Sequence, residues 1–172
     1  LITEDLLVPA PNILGELNKG FAIANDRLTK QRIPYAAGCI GVAIKAQEMA
    51  LEYVPQRETF GAPLSSRQSI QWMLVDNEID IKQSLWITLE AAAKAERGEN
   101  FRKEAAMAKL VATEAGGRVV DRCMQMFGGL GVAKDLPFER WFREMRIRRI
   151  GEGPSEVQRP VIARELLGSS LR

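Results

Sequence analysis

The chain has 172 residues, 46% apolar and 27% charged, with a net charge of +2; that is enough for one domain with an ordinary core, and the charge directs it to neither nucleic acid nor a membrane surface. No stretch reaches the roughly 18 unbroken apolar residues of a membrane span, and Glu4 and Asp5 come too early for a signal peptide. The absence of histidine excludes Ser-His triads, histidine bases, His-rich zinc sites and His-ligated di-iron bundles, leaving proton chemistry to carboxylates, Lys, Tyr, Cys or a cofactor.

Residues 1–9 read as a short extended segment stopped by Pro9 and Pro11. A lone strand leaves its backbone unpaired, so residues 1–16 are expected to be the last strand and linker of a middle domain outside this sequence, with a helical domain over 17–172. The helical pattern starts at Lys19. Cys39, Val42, Ala46, Met49, Ala50 and Tyr53 share one face, Pro34 is expected to bend the helix near Gln31 and Arg32, and Pro55 ends it. A second helix from about Ser65 places Ile70, Met73, Asn77, Ile81, Leu85, Thr88, Ala92 and Ala95 on one face and closes at Gly98. The third, from about Phe101 to Phe127, carries Ala105, Ala108, Ala112, Ala115, Val119, Cys123 and Met126. Small side chains allow close approach, which puts this helix at the centre. Gly128, Gly129 and Gly131 are expected to form a loop, Pro137 to open a short helix to about Ile147, and Pro154 to be the first residue of a last helix ending near Leu167. The fold class is all-α: an antiparallel, up-down helical bundle with extra short C-terminal helices. Cys39 and Cys123 form no Cys-x-x-Cys pair, which points to a reducing intracellular compartment.

The richest segment for chemistry is Gly151-Glu152-Gly153-Pro154-Ser155-Glu156-Val157-Gln158-Arg159. Glu152 has two readings. It complements the dipole of the following helix, with Glu156 as a first-turn acid; or it is a carboxylate held in a tight loop against a ligand, where burial would raise its pKa and make it a general base.

This segment, with Ile162-Ala163-Arg164, resembles the terminal motif of acyl-CoA dehydrogenases. Three more blocks resemble the same family in the same order: Gln31-Arg32-Ile33-Pro34, Arg57-Glu58-Thr59-Phe60-Gly61 and Gln125-Met126-Phe127-Gly128-Gly129-Leu130-Gly131. The resemblance implies an FAD-dependent oxidoreductase of fatty acid metabolism. Glu152 would be the catalytic base, with Gly153 beside the thioester, and Gly151 and Arg32 at the acyl-CoA pocket. Arg57, Thr59, Phe60, Gln68, Gln125, Gly128 and Gly129 would contact the cofactor, together with Glu156 in the last helix, many of them across a subunit boundary. Arg57 can pair with a pyrophosphate, and glycines let backbone N–H groups approach it. A homodimer or homotetramer, an electron-transfer flavoprotein as partner and no metal are implied as well. So is a cytoplasmic location in a bacterium, or a mitochondrial or peroxisomal one in a eukaryote.

The sequence departs from the family pattern where Gly151 stands at a position often held by Tyr, and where Pro154 and Glu156 follow the Glu-Gly pair. Pro154 offers neither an N–H nor a hydroxyl, and these changes mark a less typical branch. Some members place their base on the bent first helix, where this chain has neutral Gln31. Two alternatives stay open: an acyl-CoA oxidase variant reoxidised by oxygen, and a non-catalytic helical oligomerisation module. Arg140, Arg143, Arg146, Arg148 and Arg149 read as a salt-bridged surface, since Glu139–Arg143 and Arg140–Glu144 are i,i+4 pairs. Trp72, Trp86 and Trp141 read as core or interface packing.

Overall fold

The computed structural model describes residues 2–168; Leu1 and residues 169–172, at the ends of the two expected domains, lie outside the described residues. Three long helices carry the fold: α1 (Gly20–Tyr53), α2 (Gln68–Glu96) and α3 (Arg102–Phe127). A two-residue-per-strand hairpin, β1 (Glu58–Thr59) and β2 (Ala62–Pro63), joins α1 to α2. One helical turn, α4 (Gly129–Val132), and two shorter helices, α5 (Phe138–Arg148) and α6 (Ser155–Leu167), follow α3. Short connections force the long helices to run up and down, as the periodicity predicts.

Helix α3 packs against α1, α2, α4, α5 and α6 and is the centre of the bundle. Its expected stripe of Ala105, Ala108, Ala112, Ala115, Val119, Cys123 and Met126 is buried throughout. At Gly116 an added Cβ would lie 3.0 Å from Met145 Sδ and 3.5 Å from both Cβ and the carbonyl oxygen of Cys39, so α1, α3 and α5 meet there at near-contact distance. At the far end of α3, Tyr53 stacks on Phe127 (4.1 Å between centroids), Phe127 meets Phe138 (4.7 Å), and Trp141 meets Phe138 edge-on (5.6 Å).

The buried face of α2 is Ile70, Asn77, Asp80, Ile81, Ser84, Thr88 and Ala91. Asp80, Ser84 and Ala91 are therefore core residues, whereas Met73, Leu85, Ala92 and Ala95 lie at its margin. The polar members are tied down. Asp80 accepts from Arg118 (2.6 and 3.2 Å) and Arg122 (2.8 Å), and Asn77 Nδ2 donates to Gln47 Oε1 at 2.9 Å. Burial pushes the Asp80 carboxyl up, but the hydrogen bonds and charges of Arg118 and Arg122 outweigh it and hold the group below the usual carboxylate range.

Helix α1 runs unbroken through Pro34 from Gly20 to Tyr53. Three local expectations are corrected. The second helix starts at Gln68, after a 3-10 turn over Leu64–Ser66. The glycine loop contains the helical turn α4, with Gly128 at φ 61° ending α3. Pro154 is extended (φ −62°, ψ 168°) and precedes α6. Residues 2–9 form no strand within this chain. Trp141 packs on the core, while Trp72 and Trp86 are exposed. Both expected surface pairs are present, Arg143–Glu139 at 2.9 Å and Arg140–Glu144 at 3.7 Å. No helix among the described residues is long and apolar enough to cross a membrane.

Candidate active site

The segment between α5 and α6 is an elbow. The N–H groups of Ile150 and Gly151 both donate to the Ile147 carbonyl (2.9 and 2.8 Å), closing α5. The backbone then passes through the left-handed region at Glu152 (φ 55°) and Gly153 (φ 88°). A left-handed residue with a Cβ costs roughly 1–2 kcal/mol, so its surroundings must hold Glu152 there.

Side chains from three helices do so. Lys109 of α3 donates from Nζ to the Gly153 carbonyl at 2.8 Å and to that of Arg149 at 3.5 Å. Gln158 of α6 donates from Nε2 to the carbonyls of Gly153 (2.8 Å) and Glu152 (3.2 Å). Glu114 of α3 accepts from Ser155 Oγ at 2.6 Å and ion-pairs with Arg149 at 2.9 Å. Tyr35 of α1 fills the remaining space: a Cβ on Gly151 would lie 2.8 Å from its hydroxyl. The Tyr35 ring in turn faces the Arg148 guanidinium (4.9 Å) and Lys109 Nζ (5.8 Å). A side chain at Gly151 would thus have to displace the Tyr35 hydroxyl, and one at Gly153 would displace the Gln158 amide and strain the backbone as well.

Glu152 lines a cleft of about 510 Å³ with Leu14, Ile23, Ala24, Leu28, Arg27 and Gln31. Its Oε2 is buried and, among the described residues, has no hydrogen-bond partner; Nε and Nη1 of Arg32, a residue only 4% exposed, share that condition. Burial pulls the Arg32 guanidinium down, the charge of Arg102 adds to this, and Glu152 opposes it. Burial also lowers Lys109 and raises the Tyr35 phenol. A buried carboxylate oxygen without a donor, beside a largely apolar cleft, is chemically free to accept a proton from a molecule bound there.

The structure brings Glu152, Gly151, Gly153 and Arg32 together, and Glu156 sits exposed on the first turn of α6. It does not bring the remaining predicted residues to them. Arg57, Thr59 and Phe60 lie on the α1–α2 hairpin and Gln68 begins α2, while Gln125, Gly128 and Gly129 lie at the C-terminal end of α3. The Tyr53–Phe127 stack joins these two groups at one end of the bundle. Lys109, at the elbow, and Gln125 are about 24 Å apart along α3 at ~1.5 Å per residue. The far group forms an open surface. Phe60 is 99% exposed at φ 51°, Arg57 makes no ion pair among the described residues, and Cβ atoms on Gly128 or Gly129 would meet nothing within 4 Å.

Sequence reasoning missed Lys109, Gln158, Tyr35 and Glu114. Lys109 left a trace, because it stands four residues after Ala105 and three before Ala112, inside the apolar stripe. Among the described residues no cluster of three or more His, Cys, Asp or Glu could hold a metal ion.

Bundle and elbow define an all-α domain that presents a single carboxylate to a cleft at the α1 side of the last helix. The chain belongs to the acyl-CoA dehydrogenase family: residues 18–167 match the family model "Acyl-CoA dehydrogenase, C-terminal domain". It is 42% identical over 169 residues to the short-chain specific acyl-CoA dehydrogenase, mitochondrial, of Bos taurus, covering 98% of this chain and 41% of that relative. The solved butyryl-CoA dehydrogenase of Megasphaera elsdenii superposes with a TM-score of 0.91 at 40% identity, over 96% of this chain and 43% of that one. A chain from the structure described as the electron transferring flavoprotein of Acidaminococcus fermentans gives 0.93 at 37% identity, over 98% and 44%. The chain therefore spans about two fifths of the length of these relatives.

Proposed function

We propose that this chain is the base-bearing C-terminal domain of an FAD-dependent acyl-CoA dehydrogenase that desaturates an acyl-CoA thioester. The observation that carries the reading is Glu152, a non-glycine residue held at φ 55° with a buried Oε2 on the cleft that has no hydrogen-bond partner among the described residues. Its carboxylate takes the α-proton of the thioester, the C–H electron pair becomes the new C=C bond, and the β-hydrogen leaves with its electrons. Bound FAD supplies the acceptor for that hydride. Arg32 and the Gly151–Gly153 backbone border the thioester, and the apolar side chains of α1 receive the acyl chain.

The residues present fit such a cofactor. Exposed Arg57 suits a pyrophosphate, and the open backbone at Gly128 and Gly129 allows close approach. Thr59, Phe60, Gln68 and Gln125 border the same end, and Glu156 lies at the elbow end. The distance between the two ends supports a homo-oligomer in which one copy's hairpin end serves another copy's Glu152. We place residues 1–16 at the edge of a preceding sheet domain, in keeping with the greater length of the relatives. An electron-transferring flavoprotein is the proposed reoxidant. The proposed location is cytoplasmic in a bacterium and mitochondrial or peroxisomal in a eukaryote; a relative named as mitochondrial supports the eukaryotic half of this reading.

The test is anaerobic titration of the FAD-loaded polypeptide containing this chain with a panel of acyl-CoA thioesters, for the wild type and Glu152→Gln. Wild type bleaches the flavin; the variant, lacking the base, does so at least about 100-fold more slowly. Equal bleaching by both would remove Glu152 from the reaction. Rapid oxygen consumption by the reduced enzyme would assign the oxidase variant instead.

A further inference from the structure

Resting on the reading of Glu152 as proton acceptor, we propose that Lys109 is a positioning residue: together with Gln158 it clamps the Gly153 carbonyl and so fixes the direction of the Glu152 carboxylate. Lys109 is 0% exposed. Burying a lysine is costly, and the usual compensation is a carboxylate partner. Among the described residues Lys109 has none within ion-pair distance; its donors go to the carbonyls of Gly153 and Arg149, and its Nζ also faces the Tyr35 ring at 5.8 Å. Packing of the bundle does not require this arrangement, because an unbranched apolar side chain would fill the same space between Ala105 and Ala112 without the desolvation cost.

The elbow does require it. Pro154 has no N–H, so the carbonyl oxygen is the only hydrogen-bonding group in the peptide between Gly153 and Pro154. Lys109 Nζ and Gln158 Nε2 both reach that oxygen at 2.8 Å and use both of its lone pairs. One donor comes from the central helix and the other from the helix that the elbow starts, so the peptide plane is fixed between two rigid elements. Gln158 Nε2 also holds the Glu152 carbonyl at 3.2 Å, so the two successive peptides on either side of Gly153 are fixed together, and with them the backbone from which the Glu152 side chain leaves. A misplacement of about 1 Å at a reacting group costs on the order of 100-fold in rate.

The experiment compares wild type, Lys109→Met, Gln158→Met and the double variant in the FAD-loaded polypeptide. It reads native-state hydrogen exchange at the amides of residues 151–153, and the rate of thioester-driven flavin reduction with the thioester dissociation constant. Each single variant is expected to speed exchange at the elbow about tenfold, the equivalent of one lost hydrogen bond. Reduction slows by on the order of 100-fold while the dissociation constant moves less than about threefold. The double variant falls little further, since both donors act through one carbonyl. If Lys109 merely filled the core, Lys109→Met would leave elbow exchange and reduction at wild-type values, and that result overturns the proposal. Should Lys109→Met fail to fold, Lys109→Leu carries the same two readouts and the same overturning result, while Gln158→Met reads the other half of the clamp. A wild-type flavin that no thioester reduces would defeat the reading of Glu152 instead, while elbow exchange still decides whether Lys109 holds the loop.

Discussion

Replacing Gly153 with alanine tests the elbow most directly. Gly153 has φ 88°, and an added Cβ would lie 2.8 Å from Gln158 Nε2 and 3.5 Å from Val157 Cγ1. The conformation costs an L-residue roughly 1–2 kcal/mol. Moving the Gln158 amide away breaks its hydrogen bonds to the Gly153 and Glu152 carbonyls, about 1 kcal/mol each. The two parts give an expected loss of about 3–4 kcal/mol for Gly153→Ala in urea unfolding. In a Gln158→Ala background only the backbone part remains, so the same substitution should cost about 1–2 kcal/mol, a coupling of about 2 kcal/mol between the sites. A loss below about 0.5 kcal/mol in the wild-type background, or equal losses in both backgrounds, would refute the idea that the Gln158 amide and the left-handed turn compete for one space.

Gly151→Ala should cost about 1–2 kcal/mol by pressing on the Tyr35 hydroxyl, and little in a Tyr35→Phe background, which vacates that position; thermal melts of the four proteins decide it. Asp80→Asn should lose about 2 kcal/mol near neutral pH, less than a fully buried pair would because the Arg118 side chain is 49% exposed. The Asp80 carboxyl lies below its unfolded value of about 3.9, so its contribution is complete above that pH and fades as pH falls through the lower folded value. The gap between wild type and Asp80→Asn in denaturant titrations should therefore be constant above about pH 5 and shrink in stronger acid.

The fold was legible because its signals are local. The Ala105–Met126 stripe repeats at helical spacing, Gly98 stops α2 at φ 69°, and the glycine-free run of α2 leaves no other break. The face of α2 was read only in part because hydrophobicity does not reveal a buried Asp80: it is inside because Arg118 and Arg122 of another helix meet it there. The same physics hid half of the site. Glu152 stood out through its flanking glycines, but the donors that hold its loop are Lys109, 44 residues before Gly153, and Gln158, on the far side of a proline. No periodicity within a single helix encodes such a pairing.

That division follows from what each part must do. A bundle of small side chains needs only periodic composition, and many sequences satisfy it. A carboxylate poised for proton transfer must be left without its own donor, which destabilises it, and must sit on backbone that resists its natural relaxation. Glu152 meets both conditions, with Oε2 unpartnered and φ at 55°. The compensation lies one layer out, in donors directed at the elbow's carbonyls rather than at the carboxylate: Lys109 and Gln158 satisfy the backbone and leave the side chain free. If they bonded the carboxylate itself, the elbow would be more stable and the base weaker. The placement of these two donors is therefore a physical argument, independent of motif, for reading Glu152 as a group held ready rather than as a helix cap.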